Sequence, residues 1–160
     1  MKRFISLLIV IIMIMIITGC NKKKEVEDGI VVNNVRYVLN QDDEAYTLKI
    51  KVASNFNKVV YPNAISYYSE KVDGEYNFVI RIFQYKNFNI EKIVKDLTGE
   101  ELETSKVTLF DKEYDYVKTD NNINIYIYKD KNYSYAITFT SKGDVEVLTQ
   151  EFMKNVIYGE

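Results

Sequence analysis

The chain has 160 residues, a length that suits one domain, and its 21 Lys and Arg against 23 Asp and Glu give a formal charge of -2. That balance excludes a strongly basic nucleic-acid binder, so we expect no nucleic-acid partner. The chain contains no His and one Cys. This excludes histidine-based catalysis, an intrachain disulfide and a thiolate-cluster metal site. We expect neither a metal nor a cofactor.

The first twenty residues have the pattern of a targeting segment. Lys2 and Arg3 form a positive start, and residues 4–17 are a 14-residue run that is apolar except for Ser6. As a helix this run would rise only about 21 Å, which is short of the roughly 30 Å hydrocarbon core of a bilayer. The segment therefore favours a cleaved signal peptide over a membrane-spanning helix.

The sequence ITGC at residues 17–20 follows the apolar run. It resembles the lipobox of bacterial lipoproteins, in which an aliphatic residue, a small residue and Gly or Ala precede Cys. The resemblance implies that the Cys20 thiol receives a diacylglycerol and that residues 1–19 are removed as a signal peptide. An uncleaved anchor with an incidental Cys is the alternative. It is disfavoured because the only Cys lies where the box requires it.

Removal of residues 1–19 would leave 141 residues with a charge of -4, from 19 basic and 23 acidic side chains. Residues 20–28 would comprise the lipidated Cys20 and a polar, flexible tether. The expected location is the outer, extracytoplasmic face of the cell membrane, with the lipid on Cys20 as the contact with the membrane.

From residue 29 onward the patterns predict mainly strands. Residues 30–39 are expected to form one strand, and the alternation of apolar residues over 46–52 predicts a strand that buries one face. Asp73-Gly74 predicts a hairpin turn between strands at 65–71 and 76–85. The second of these is apolar on both faces, which indicates a central position in a sheet.

A helix is predicted next, because Ile90, Ile93, Val94 and Leu97 have helical spacing and Gly99 provides a stop. Asn89 and Asn87 are alternative N-caps. A four-stranded meander is then expected over residues 106–110, 113–119, 123–128 and 133–140. A second amphipathic helix is expected over residues 144–157.

The order strands, helix, strands, helix predicts an α+β fold over residues 29–160, with a mainly antiparallel β-sheet and helices packed on it. The sequence VYPN at residues 60–63, LFDKEY at 109–114 and the strand at 133–140 before the last helix are similar to the PsbP-like fold. The resemblance implies an α/β/α sandwich whose members act mainly as binding or assembly modules. It implies no specific ligand residues.

Six tyrosines are expected on one face of the last three strands. A three-residue loop at 120–122 would pair Tyr116 with Tyr126, and a loop at 129–132 would pair Tyr126 with Tyr135. The layer is either core beneath a helix or an open binding face, and core is favoured because exposed apolar patches are limited. Tyr114 and Tyr133 lie nearer the strand ends, so they are the candidate contacts with a partner.

No catalytic motif is evident. The acidic clusters at residues 42–44 and 100–103 do not have the spacing of a calcium loop, and solvated surface is the favoured interpretation. The predicted function is therefore a membrane-anchored extracytoplasmic lipoprotein that acts as a binding or accessory module for a protein or small ligand. The alternatives are a cell-wall or extracellular hydrolase that uses a carboxylate pair, and an immunity or exclusion lipoprotein.

Overall fold

The structure, a computed structural model, describes residues 29–86, 89–141 and 146–159. Within these ranges the chain forms thirteen strands and two helices. The strands are β1 (Ile30–Val32), β2 (Val35–Tyr37), β3 (Leu39–Ala45), β4 (Leu48–Ala53), β5 (Asn57–Val60), β6 (Ile65–Tyr68), β7 (Lys71–Val72), β8 (Glu75–Tyr76), β9 (Phe78–Tyr85), β10 (Ser105–Leu109), β11 (Lys112–Lys118), β12 (Ile123–Lys129) and β13 (Ser134–Ser141). The helices are α1 (Ile90–Thr98) and α2 (Glu146–Lys154).

Seven strands form one antiparallel sheet in the order β10-β11-β12-β13-β9-β6-β5. The predicted meander is confirmed as β10 to β13. The predicted central strand is confirmed as β9, which lies between β13 and β6. The hairpin turn at Asp73-Gly74 is also confirmed, since both residues have positive φ, at 52° and 83°, between β7 and β8.

The first helix begins and ends where the sequence predicts. The Asn89 side chain accepts a hydrogen bond from the backbone N–H of Lys92 at 2.9 Å, which caps the start of α1. Gly99 has a left-handed backbone, with φ at 78°, and its N–H donates a hydrogen bond to the carbonyl of Lys95, which ends the helix. The apolar side of α1 buries Ile93 and Val94 against the sheet.

The two faces of the large sheet have different coverings. The face that carries Ile80 and Ile137, called the core face, belongs to the main hydrophobic cluster. This cluster includes Tyr37 of β2, Leu48 of β4 and Phe152 of α2. The opposite face, called the outer face, packs against α1.

The α+β prediction, including the PsbP-like sandwich, is wrong: the described residues are 54% strand and 14% helix, so the fold is β-rich. The cause lies in the segment before β5. The expected single strand at 30–39 turns back at Asn33 and Asn34, whose φ angles are 49° and 66°. A second turn at Tyr46, with φ at 58°, produces the β3–β4 hairpin. Hairpins therefore supply much of the layer over the core face, and α1 and α2 have only nine residues each.

Of the two predicted pairings between the tyrosine strands, only that of β11 with β12 is confirmed. Tyr116 pairs with Tyr126, which confirms the three-residue loop between β11 and β12. The expected pairing of Tyr126 with Tyr135 is wrong, because Tyr135 pairs with Tyr128 instead. The Asp130 carboxylate accepts two backbone N–H groups, each at 2.7 Å, in the β12–β13 turn. Relative to the prediction, β13 is shifted by two residues along β12. Because the shift is an even number of residues, the tyrosines stay on the same face.

Candidate functional site

The outer face of the sheet is covered over only part of its width. Ile93 and Val94 of α1 pack with Tyr85, Ile125 and Ala136, toward the C-terminal end of β9 and the neighbouring β13 and β12. The other part of the face is formed by β5, β6 and the first half of β9. There Val59 and Arg81 are exposed and Tyr68 is half-buried, whereas Ser66 and Val79 are buried. This half is the candidate binding surface.

Five residues define this surface, which we call the open tyrosine face: Val59, Tyr61, Tyr68, Tyr76 and Arg81. The register brings them together, since Val59 pairs with Ser66 and Ser66 with Arg81 across three strands. Val59, Tyr61 and Tyr76 are 37%, 43% and 41% exposed. Arg81 is also exposed, and Tyr68 is half-buried. The residues come from four strands and the β5–β6 turn, so no local sequence motif marks them.

The tyrosines of this face contact one another. The hydroxyl oxygens of Tyr61 and Tyr68 lie 3.0 Å apart, within hydrogen-bonding distance. The rings of Tyr68 and Tyr76 have their centroids 4.7 Å apart at a tilt of 45°. The Lys71 ammonium lies 5.0 Å from the centre of the Tyr76 ring, a cation–π geometry. The three rings thus form a connected row with a cation at its end.

Hydrogen bonding polarises the central hydroxyl. The bond to Tyr61 lowers the pKa of Tyr68, and a hydrogen bond from Arg81 lowers it further. The same tyrosine pair raises the pKa of Tyr61. Either hydroxyl can be the donor in this bond.

The sheet rows of the open half carry one charged side chain, and the β7–β8 hairpin beside them carries both signs, with Lys71, Asp73 and Glu75 exposed. Two cross-strand rows run over the outer face from β5 to β13: Asn57, Tyr68, Val79 and Thr140, then Val59, Ser66, Arg81 and Thr138. Arg81 is the charged residue in these rows. A surface with aromatic rings, a guanidinium and phenolic hydroxyls can bind a group that accepts hydrogen bonds.

The tyrosine layer predicted from sequence lies on the core face. Tyr114, expected as a partner contact, is 1% exposed, so it offers almost no surface to a partner. Tyr133, the other expected contact, is half-buried, and its ring lies 6.3 Å from that of Tyr135. The role of Tyr133 as a contact with a partner stays a prediction.

The C-terminal segment covers this layer. The ring of Tyr158 lies 3.9 Å from that of Tyr128, 5.6 Å from that of Tyr135 and 6.4 Å from that of Tyr114. Burial raises the pKa of the Tyr158 hydroxyl well above its usual value, and the nearby Tyr114 adds to this effect. The layer has the contacts of a hydrophobic core, which agrees with the favoured interpretation from sequence.

The acidic clusters of the sequence lie in separate places. Asp43 of β3 forms an ion pair with Lys58 at 2.8 Å. Burial opposes ionisation of Asp43, but hydrogen bonds from Lys58 and a backbone N–H outweigh it and lower its pKa. Glu101 forms an exposed ion pair with Lys95 at 2.6 Å. Among the described residues, no group of three or more Asp, Glu, Cys or His is arranged to hold a metal ion.

The predicted lipid acceptor Cys20, the signal peptide 1–19 and the tether 20–28 lie outside the described residues. Over residues 29–86, 89–141 and 146–159, no helix is long and apolar enough to cross a membrane.

Comparisons with known proteins find a similar fold but do not show which family the chain belongs to. No family model matches the chain, and no curated protein matches it. The chain is similar to a solved protein from Bacteroides thetaiotaomicron, with a TM-score of 0.50 and 14% sequence identity. The match covers 71% of this chain and 46% of the other, so the chain spans about half of that protein's length. At this identity the likeness concerns the fold alone.

Proposed function

We propose that the protein is a lipid-anchored binding or accessory module that acts on the outer face of the cell membrane. The lipid is attached to Cys20, within the sequence ITGC at residues 17–20. The observation that carries the binding role is the open tyrosine face, where three tyrosines and Arg81 lie on an uncovered half of the sheet.

Tyrosine and arginine suit a binding surface for physical reasons. A tyrosine ring offers a large apolar contact at a low cost in side-chain entropy, and its hydroxyl keeps a hydrogen bond available. Arginine adds up to five donors in a planar arrangement. Tyr61 and Tyr76 keep about two-fifths of their surface exposed. Such a cluster is typical of interfaces.

The anchoring part of the proposal is tested by metabolic labelling with a radioactive fatty acid. The native chain should be labelled and cleaved before Cys20, whereas Cys20→Ala should be unlabelled and uncleaved. Gly19→Ala is the matched control, because it keeps a small residue before the Cys and should be labelled normally. Labelling of Cys20→Ala at the native level would show that Cys20 is not the acceptor.

A further inference from the structure

The edge of the large sheet at β5 is open and apolar. β5 pairs with β6 on one side, and no described strand pairs with its other side. All four of its residues are exposed, and the run Val59, Val60 and Tyr61 is 37%, 70% and 43% exposed. This is the only run of three exposed large hydrophobic residues in the ranges that the structure describes. An uncovered edge of this kind is a template for pairing with a further strand.

β5 lacks a free charge of the kind that usually protects an edge strand. At the other end of the sheet, the residues that β10 exposes are polar, and Lys106 among them is charged. The charged residue of β5 is Lys58, whose ammonium is held by the Asp43 carboxylate at 2.8 Å and the Glu44 carbonyl at 2.7 Å. This lysine is therefore tied to β3 and does not block pairing at the edge.

The hydrogen bonds of the β5–β6 hairpin show which backbone groups of β5 point outward. The Tyr61 N–H donates to the Ala64 carbonyl at 2.8 Å, so these two residues form a hydrogen-bonded pair. In an antiparallel ladder such pairs alternate with pairs that are not hydrogen-bonded. Val59 therefore bonds to β6, whereas Lys58 and Val60 direct their N–H and C=O groups to the free edge.

One antiparallel register lets a second copy of β5 bind these outward groups. With Val59 facing Val59 of the other copy, Lys58 of each copy exchanges both of its backbone hydrogen bonds with Val60 of the other. A register centred on Lys58 would place two ammonium groups opposite each other, which is unfavourable. A register centred on Val60 would set Lys58 opposite Pro62, which has no N–H to donate. The sequence of the edge therefore selects the register centred on Val59, called the Val59 register.

The Val59 register also keeps the other charges of the two copies apart. The two-fold axis passes between the two Val59 residues, and Arg81 lies two strands from the edge in the same cross-strand row. With strands about 4.8 Å apart, the two Arg81 positions are about 24 Å apart, which is about three Debye lengths at physiological ionic strength. Repulsion between the guanidinium groups is therefore screened, and the two open tyrosine faces join side by side.

The contact is small, so it depends on a high local concentration of the chain. Four residues of β5 from each copy are far fewer than the roughly 20–30 residues a side of a standard stable interface. Anchoring in one membrane would raise the local concentration. Because the two-fold axis is normal to the sheet, both core faces lie on the same side of the dimer. Ile30 and Val32 of β1 pack into the core-face cluster, so the described part of each copy begins on that shared side.

We propose that β5 is a self-association edge, through which two membrane-anchored copies pair in the Val59 register and form one continuous antiparallel sheet. This inference rests on the proposed function, because the lipid on Cys20 is what confines the copies to one membrane. The dimer presents both open tyrosine faces on the side opposite the core faces, where they form one binding surface.

Disulfide cross-linking tests the Val59 register. Val59→Cys places the two thiols at the axis, where opposite Cα atoms of a pair without hydrogen bonds are about 4.5 Å apart, within reach of a disulfide. Asn57→Cys is the matched control, because it is exposed on the same strand and face but would lie about 14 Å from its counterpart. Each lipoprotein is oxidised in the membranes of its own cells. The introduced thiol is then the only free one, since Cys20 would be acylated.

Val59→Cys should form a disulfide dimer, whereas Asn57→Cys and the native chain should stay monomeric. When Val60→Lys is added to Val59→Cys, an ammonium faces Lys58 of the other copy, and the initial cross-linking rate should fall about fivefold. Val60→Glu in the same background should not lower the rate, because it places a carboxylate there. Val60 is 70% exposed, so neither change should alter the fold. The same Val59→Cys lipoprotein, diluted in detergent to one chain per micelle, should not cross-link.

Equal cross-linking of Asn57→Cys and Val59→Cys would indicate random collision of anchored copies and would overturn the pairing. A monomeric Val59→Cys that sediments with the membranes would also overturn the pairing, but it would leave the anchor intact. Equal cross-linking of Val59→Cys in membranes and in dilute detergent would overturn the dependence on the anchor. A disulfide dimer of the native chain would reveal a free thiol at Cys20 and would overturn the proposed function.

Discussion

Truncation of a tyrosine in the core layer should lower the free energy of unfolding much more than truncation of a tyrosine on the open tyrosine face. Tyr135 is 1% exposed, and its ring lies 5.6 Å from that of Tyr158. Its hydroxyl is 2.6 Å from the Thr47 hydroxyl and accepts a hydrogen bond from Gln84 at 3.3 Å. Tyr135→Ala removes the whole ring from a packed layer, and such aromatic truncations cost about 3–5 kcal/mol. Tyr61→Ala removes a ring that is 43% exposed, so it should cost less than about 1 kcal/mol.

The assay is urea unfolding of the chain from residue 21 onward, followed by circular dichroism. With an m-value of about 2 kcal/mol/M, the expected loss for Tyr135→Ala lowers the midpoint by about 2 M, and that for Tyr61→Ala by less than about 0.5 M. Tyr135→Phe is the matched control. It keeps the ring and loses only the hydrogen bonds, so it should cost about 1 kcal/mol. Equal midpoints for Tyr135→Ala and Tyr61→Ala would refute the division into a core layer and an open face.

Three further outcomes follow from local features. Asp43→Asn should cost up to about 1 kcal/mol at neutral pH. Because the folded-state pKa of Asp43 is lowered, its contribution is present above the ordinary Asp pKa of about 3.9 and is lost as the pH falls through the folded value, so the variant and the native chain should converge in acid. Asn89→Ala should cost about 1 kcal/mol of unfolding free energy through loss of the α1 cap, and Asn89→Asp should restore it; equal stability of all three would contradict the capping role. Elemental analysis after dialysis against a mild chelator should find no stoichiometric zinc or copper, since the chain has no His and its only Cys would be acylated.

Local rules were sufficient for elements whose turns and caps are encoded by neighbouring residues. Asp73-Gly74 supplies the two positive φ angles of a hairpin turn, and Asn89 and Gly99 supply both ends of α1. The meander could also be predicted, because its strands follow one another along the chain and pair with sequence neighbours. Asn33-Asn34 carried a usable signal that the strand prediction overlooked, since Asn tolerates the left-handed region.

The open tyrosine face could not be predicted in the same way. Tyr61 lies in the β5–β6 turn, Tyr68 in β6 and Tyr76 in β8, and they meet only because β5, β6 and β9 beside them pair in one particular register. Whether a face of the sheet is covered depends on where α1 packs, and a nine-residue helix cannot cover seven strands. The tertiary arrangement therefore decided which tyrosines are core and which are exposed, and Tyr114 is buried on the core face, where the ring of Tyr158 packs against it.

The most direct test of the central claim is mass spectrometry of the N-terminal peptide from the protein extracted from the membranes of its own cells. The account predicts that the mature chain begins at Cys20 and that this residue carries a thioether-linked diacylglycerol. A mature chain that retains residues 1–19, or one in which Cys20 carries a free thiol, would contradict it.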